Sequence, residues 1–303
     1  MKAIIFGSIA FDAIETPVAK TDKIIGGSGT YICFSASYFV QPQSVSVVGY
    51  DFPQAYIKKL QDKGVDIEGM QIKQDEKTMF WAGRYFDNMN QRETLTTELN
   101  VVEHFQPIVP ESYKDTEYVM LGNLSPVLQR SVLEQMNKRP KFVALDTMNF
   151  WMDTMMDELK KTISMVDIII INDEEARQLS GKQSIPQAAK TICSMGPRYV
   201  IIKKGEHGAM LFSHDKVFSA PALPLDNVID PTGAGDTFAG AFLGYVAQRD
   251  NTDFETMKTA VIVASAMASF TVEKMGTEAL EDLSANDIKD RIFKFKEMTE
   301  FKL

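Results

Sequence analysis

Asp230-Pro231-Thr232-Gly233-Ala234-Gly235-Asp236-Thr237-Phe238-Ala239-Gly240-Ala241-Phe242 joins a stretch without side-chain bulk to an apolar helical run. Small residues at 233–235 let a backbone approach a ligand closely. The helix expected over roughly 234–249 turns its unpaired N–H groups and positive dipole end toward that turn. Such an end favours an anion, a phosphate above all. Asp236 falls in the first turn, where a carboxylate is stabilised in its charged form. A base beside an anion-binding turn is what moving a phosphoryl group to a hydroxyl requires. A glycine-rich turn that merely starts a helix is the plain alternative, and a lone G-x-G would not exclude it.

Working outward, short continuous apolar runs recur: Ala3–Phe6, Tyr118–Leu121, Phe142–Leu145, Ile168–Ile171 and Tyr199–Ile202. Unbroken runs of this length suit strands buried on both faces. Between them lie segments of helical period, among them 125–137, 151–164 and 184–195. Alternation of the two predicts βαβ units and a mostly parallel sheet with helices on both faces, an α/β sandwich of three layers. The runs lead into Asn123, Asp146, Asn172 and Lys203. Ligands of such sheets bind beyond the carboxyl ends of the strands, so these residues are expected to face one crevice. Residues 12–25 and 72–100 break the rhythm. Thr78–Phe86 and Arg92–Thr97 alternate and read as strands around an Asp87–Asn90 turn, a small antiparallel sheet projecting from the core as a lid. With no repeat or low-complexity linker evident, 1–303 is expected to be one domain plus this lid.

The chain has 303 residues, 45% of them hydrophobic, and a net charge of -9. That is ordinary globular composition. The acidic balance argues against a nucleic-acid binder and means that an anionic substrate must be captured by local donors. Cys33 and Cys193 have no metal-ligand spacing and read as reduced thiols. No signal peptide or membrane-length apolar window is apparent, so a cytoplasmic location is expected, with neither membrane nor nucleic acid as partner.

From Asp230 to Leu243 the sequence resembles, position by position, the C-terminal signature of the ribokinase-type (PfkB) carbohydrate kinases, which phosphorylate sugars and nucleosides with ATP. The resemblance extends over nearly the whole chain. It implies a ribokinase-like α/β/α sandwich with a β lid, and ATP and Mg²⁺ as co-substrate and metal. It implies Asp236 as catalytic base, and Gly233, Ala234 and Gly235 as the anion hole. The second glycine loop, Gly26-Gly27-Ser28-Gly29-Thr30-Tyr31, could on its own cap a helix of roughly 30–40, bind phosphate or simply turn. The resemblance makes Gly26, Gly27, Ser28 and Tyr31 substrate-binding, together with Asn123 and Asp12, a carboxylate suited to accept from two hydroxyls. Many members have Asn where this chain has Tyr31; an aromatic ring there could stack on a sugar face or a base.

Asn172-Asp173-Glu174-Glu175 suits a helix start in its own right. The resemblance adds Asn172 as a nucleotide-site residue and Glu175 as an organiser of Mg²⁺ through water. In Lys203-Lys204-Gly205-Glu206-His207-Gly208, adjacent lysines commonly form a solvated surface. By resemblance, Lys203, Gly205 and Gly208 contact nucleotide. Asp146 caps a strand end or lines the phosphate crevice. Asp230, Thr232, Thr271 and Gly276, with Lys274 nearby, correspond to a monovalent-cation site, taken as K⁺, made largely of backbone carbonyls. A homodimer through the lid is also implied. The function expected is transfer of the γ-phosphoryl group of ATP to a hydroxyl of a sugar or sugar-like substrate. The alternatives are a nucleoside kinase, favoured by Tyr31 and the lid aromatics Phe80, Trp81, Tyr85 and Phe86, or a sensor without turnover, against which the intact Asp236 speaks.

Overall fold

The computed structural model describes residues 1–300. Its strands are β1 Lys2–Phe6, β2 Ala10–Glu15, β3 Ile24–Gly26, β4 Gln41–Val48, β5 Asp66–Ile72, β6 Met79–Tyr85, β7 Arg92–Glu98, β8 Tyr118–Leu121, β9 Phe142–Leu145, β10 Ile168–Asn172, β11 Tyr199–Lys203, β12 Ala209–Phe212 and β13 Val217–Ala220. Nine of them form one sheet in the order β13-β12-β11-β10-β9-β8-β1-β4-β5. From β11 to β5 every pairing is parallel; β12 and β13 are added antiparallel at one edge. Strand order changes direction at β1, which lies between β8 and β4. A crevice opens at such a switch point.

Alternate residues of the central strands enter opposite cores. Ile168 and Ile170 join Ile5, Met120, Ala144 and Ile201 on one face, against the helices Ser28–Ala36, Ala234–Arg249 and Phe254–Thr271. Ile169 and Ile171 join Phe6, Leu121, Leu145 and Ile202 on the other, against Pro126–Glu134, Met156–Ile163, Asp173–Ser180 and Ile185–Cys193. Each fully buried side chain of this size contributes about 1.5–3 kcal/mol. These two faces explain why the runs are unbroken, and they give the three layers expected.

The smaller sheet has the order β3-β2-β6-β7. It occupies the segments assigned to the lid, but it is mixed: β2 pairs with β6 in parallel, and only the β2/β3 and β6/β7 pairings are antiparallel. The crossover between β2 and β6, which passes through the main sheet, makes that pairing parallel. The helix expected over 151–164 is divided at Met155, whose φ of -141° interrupts the turn between Asn149–Thr154 and Met156–Ile163.

One seam positions the site. The helix Ala234–Arg249 packs on Ser28–Ala36 so closely that a Cβ on Gly240 would collide with Ser35 and the carbonyl of Ile32, and one on Gly244 would stand 3.2 Å from Ala36. Small residues on both helices permit this approach. It brings the two glycine-rich turns, which open the two helices, side by side.

Candidate active site

Gly233 is the N-cap of the helix Ala234–Arg249, at φ 74° and ψ 0°. That left-handed conformation costs a residue with a Cβ roughly 1–2 kcal/mol. A Cβ here would also strike the ring of Tyr31. No side chain caps this helix; the Ala234 amide donates to Pro231 O at 3.2 Å, and the end of the helix still presents its positive dipole to an anion. The point where a Cβ on Gly235 would stand lies 2.9 Å from Lys203 Nζ. The lysine ammonium from the end of β11 therefore hangs over the first helical turn.

Three carboxylates, Asp146, Glu175 and Asp236, and two cations, Lys203 and Arg92, act on one another's charge around this turn. Lys203 Nζ lies 3.6 Å from Asp146 Oδ1. Burial opposes the lysine charge, but Asp146, Glu175 and Asp236 outweigh it and hold the ammonium above its ordinary range. Asp236 is raised well above the usual carboxylate range, first by burial and then by the Asp146 charge, with Lys203 and Arg92 pulling it back. Glu175 is pushed up to about 7, chiefly by burial. Its backbone explains its aim: Asn172 Oδ1 accepts from Glu175 N at 2.8 Å and Glu175 Oε2 accepts from Asn172 N at 2.8 Å. This reciprocal cap turns the carboxylate back toward the ends of β10 and β11. Capping and a place in the charged cluster thus coexist at Asn172 and Glu175.

Asp12, on β2, is 4% exposed and is pushed up to about 7 by burial, with Asp230 and Asp236 adding to the rise. A Cβ on Gly26 would coincide with its carboxyl group, so the di-glycine loop lies directly against it. Gly27, at φ 87°, passes so close to Ser8 that a Cβ would stand 2.5 Å from that carbonyl. Ser28 and Ser8 interlock, each backbone N–H donating to the other's hydroxyl at 3.1–3.3 Å. The Ser28 hydroxyl expected to meet substrate is engaged there.

Other residues take places that the sequence does not disclose. Tyr31 is 1% exposed with its ring against Gly233; it supports the anion turn from beneath and presents no open face for stacking. Its hydroxyl has no hydrogen-bond partner in the protein. Asn123 accepts from Trp151 Nε1 at 2.9 Å and its amide nitrogen lies 3.1 Å from Met148 Sδ, so its side chain fixes the loop after β9. Gly208 packs against the carbonyl of Ala220 and closes the loop after β11 through Lys204 N→Gly208 O, 2.8 Å. Gly205 faces the lid: a Cβ there would stand 2.7 Å from Asn90 Oδ1.

The expected monovalent-cation residues are brought together in part. Asp230 is fully buried, and its two oxygens accept from Thr232 N and Gly276 N, each at 2.9 Å. Thr271 Oγ1 instead donates to Thr237 Oγ1 at 2.9 Å. The Asp230 carboxylate closes the turn with backbone amides. Among the described residues no group of three or more His, Cys, Asp or Glu could hold a metal ion.

The inner face of the lid was not legible in advance. Trp81 pairs in register with Asp12, and its indole lies flat over Gly83, where a Cβ would collide with the ring. Its Nε1 donates to Thr94 Oγ1 at 3.3 Å. Tyr85 accepts from Thr232 Oγ1 at 3.2 Å, tying the lid to the anion turn. Arg92, opposite Tyr85 in register, is the second cation of the cluster. Strand periodicity separates these from Phe80, which packs toward the main core, and Phe86, which is exposed.

An uncapped helix start, a buried carboxylate in its first turn and a second buried carboxylate under a lid form an arrangement suited to phosphoryl transfer. The model of the pfkB family carbohydrate kinases matches residues 2–283, and the chain belongs to that family. It is an ATP-dependent kinase that phosphorylates a hydroxyl of a sugar or sugar-like substrate. It is 28% identical to the cytidine kinase of Thermococcus kodakarensis, over 80% of this chain and 87% of that protein. The crystal structure of Methanocaldococcus jannaschii nucleoside kinase, a member of the ribokinase family, superposes with a TM-score of 0.78 at 21% identity, covering 97% of this chain and 98% of that one. Salmonella enterica aminoimidazole riboside kinase, complexed with its riboside and an ATP analog, gives 0.78 at 19% identity over 96% and 100%. These likenesses establish the ribokinase-type fold. No helix among the described residues is long and apolar enough to cross a membrane.

Proposed function

We propose that Asp236 is the general base, that the amides of Gly233, Ala234 and Gly235 form the anion hole, and that Asp12 holds acceptor hydroxyls. The observation that carries this reading is Lys203 suspended over Gly235, at an uncapped helix start whose first turn holds Asp236. As the acceptor oxygen attacks the γ-phosphorus, its proton passes to Asp236 and the bond to the β-phosphate oxygen breaks. Charge on the transferred group is met by the helix amides and Lys203. Burial raises the proton affinity of Asp236 toward the working pH, where a general base is most effective. Mg²⁺ would neutralise the nucleotide phosphates, with Glu175 holding its waters. Lys203, Asn172 and Gly205 lie on the nucleotide side. A monovalent cation at the Asp230 turn would rest on backbone carbonyls, and K⁺ against Na⁺ rate comparison tests for it. Residues 1–303 work as one domain; the exposed edge strand β7, with Leu95 outward, is the face through which a lid dimer would form.

For the acceptor we propose a nucleoside. Trp81 supports this: it is the lid's inward indole, held flat by Gly83 and Thr94 and paired in register with Asp12. A base could lie on it while Asp12 holds the ribose. The similarity to a cytidine kinase and a nucleoside kinase over most of the chain points the same way. The test is a panel of free sugars and nucleosides assayed with ATP, then Trp81→Ala on the best substrate. Base stacking of about 1–3 kcal/mol predicts an acceptor KM raised roughly 5–150-fold for a nucleoside. Best turnover on a free sugar, with KM unmoved in Trp81→Ala, would overturn the nucleoside reading and leave the kinase reading intact.

A further inference from the structure

Gln129 is polar at a place where its helix calls for an apolar residue. In Pro126–Glu134 the buried positions are Pro126, Gln129 and Val132, and Gln129 is fully buried. Its amide nitrogen donates to two carbonyls, Gly122 O at 2.9 Å and Asp146 O at 3.0 Å. Its amide oxygen, equally buried, has no partner in the protein. A buried acceptor left in that state is costly, so what keeps an amide here is its pair of N–H donors. The two carbonyls stand where β8 and β9 part. The paired register of these strands ends at Leu121 and Leu145, and a last bond, Asp146 N to Leu121 O at 2.9 Å, closes the ladder. From that fork the two chains serve opposite halves of the crevice. Gly122 lies against the loop Gly26–Ser28: a Cβ there would stand 2.8 Å from Phe6 O and 3.4 Å from Ser28 Oγ. Asp146 is the partner of Lys203, at 3.6 Å, and Lys203 hangs over the first turn of the helix Ala234–Arg249. Above the fork, Trp151 Nε1 donates to Asn123 Oδ1 at 2.9 Å, a second tie between the same loops, but a half-buried one.

We propose that Gln129 is a positioning residue for phosphoryl transfer: by pinning Gly122 and Asp146 to each other it sets the distance between the acceptor and the phosphoryl group. The inference rests on the reading of Asp12 as the acceptor's grip and of 233–236 as the phosphoryl site. Transfer needs the attacking oxygen within about 3–3.5 Å of phosphorus, and a misplacement of about 1 Å can cost about 10²-fold in rate. The grip on each substrate is made within one half alone. Asp12 and the Gly26–Ser28 loop hold the acceptor; Lys203 and the helix start hold the phosphate. Gln129 lies behind the crevice and touches neither substrate. Its loss leaves both grips in place and lets them drift relative to each other, so the effect falls on kcat and not on either KM.

The test uses the full chain with Gln129→Met, which keeps a similar volume and removes both donors, and Gln129→Asn, one methylene shorter and unable to span both carbonyls. Asp236→Asn is measured alongside. Melting curves establish that each variant is folded, and rates are taken per folded protein. The expected result for Gln129→Met is kcat lowered about 10–100-fold, with KM for ATP and for acceptor each changed less than about threefold. Affinity of the acceptor for enzyme loaded with ADP and aluminium fluoride, measured by calorimetry, reads the same geometry without turnover. It should fall about tenfold or more, while affinities for ADP alone and for acceptor alone hold within about threefold. Unchanged kcat in the folded variants overturns the proposal. So does a rise in one KM with kcat intact, which would place Gln129 under that substrate alone, and so does an equal loss of all three affinities, the mark of a merely loosened fold. Should Gln129→Met fail to fold, Gln129→Asn decides by the same readings. If Asp236→Asn also keeps its rate, the phosphoryl site itself is misplaced; if only the Gln129 variants keep theirs, this inference alone falls.

Discussion

Gly233→Ala adds one methyl group at the point where the two glycine loops meet. Two costs follow from the structure. The backbone sits at φ 74°, where an L-residue loses about 1–2 kcal/mol. The new carbon also enters the space of the Tyr31 ring, which is 1% exposed and has nowhere to go. Overpacking of this kind costs about 1–3 kcal/mol. The sum is a loss of roughly 2–5 kcal/mol, a large part of the stability of an ordinary domain. Urea unfolding of the ligand-free protein measures it. Tyr31→Leu in the same background separates the causes: shrinking the ring removes the collision but not the strained φ. The double-mutant cycle should therefore show a favourable coupling of about 1–3 kcal/mol with the remaining loss persisting. A Gly233→Ala protein within about 0.5 kcal/mol of wild type, or two additive single changes, would refute the packing of Tyr31 beneath the anion turn.

Further expectations concern the buried acids. Asp12 and Glu175 are each raised to about 7 by burial. A raised acid contributes stability that is fully present below its unfolded value near 4 and is lost as pH rises through 7. The ligand-free protein should therefore be more stable at pH 6 than at pH 8, by about 1 kcal/mol for each group; melting curves that are flat or inverted over that window would contradict the burial argument. Asp12→Asn removes a buried charge, so at pH 8 it should leave the ligand-free protein as stable as wild type or more so. It should also raise the acceptor KM roughly 10–100-fold, as for losing a hydrogen bond to a charged group, with KM for ATP nearly unchanged.

The sequence discloses those parts of this molecule whose chemistry is local. The runs Ile168–Ile171 and Tyr199–Ile202 read as buried strands because both faces of each are covered, and the anion turn reads from adjacent residues. β4 escaped notice because Gln43, Ser44 and Ser46 interrupt its apolar pattern, although all three are buried, with the two serine hydroxyls 2.9 Å apart. The β12 and β13 hairpin is only two four-residue strands, too short for periodicity to register. In the site, Asp12, Lys203, Glu175 and Asp236 gather as expected. Tyr31, Ser28 and Asn123 do not present themselves as expected, because their partners Gly233, Ser8 and Trp151 are distant in sequence. Arg92 was hidden for a further reason. The β6/β7 register shifts between Ala82 and Gly83, and only the folded pairing reveals which β7 side chains turn inward.

The central claim is that Asp236 accepts the acceptor proton at the start of the helix Ala234–Arg249, and Asp236→Asn tests it most directly. The exchange keeps size and hydrogen bonding while removing the base. Turnover of the best acceptor, measured with ADP affinity and a melting curve on the same sample, should show kcat lowered by about 10²–10⁴ with fold and nucleotide binding intact. A folded variant that binds ADP normally and keeps more than about half of the wild-type kcat would contradict the account, since losing a general base ordinarily costs at least about 10²-fold.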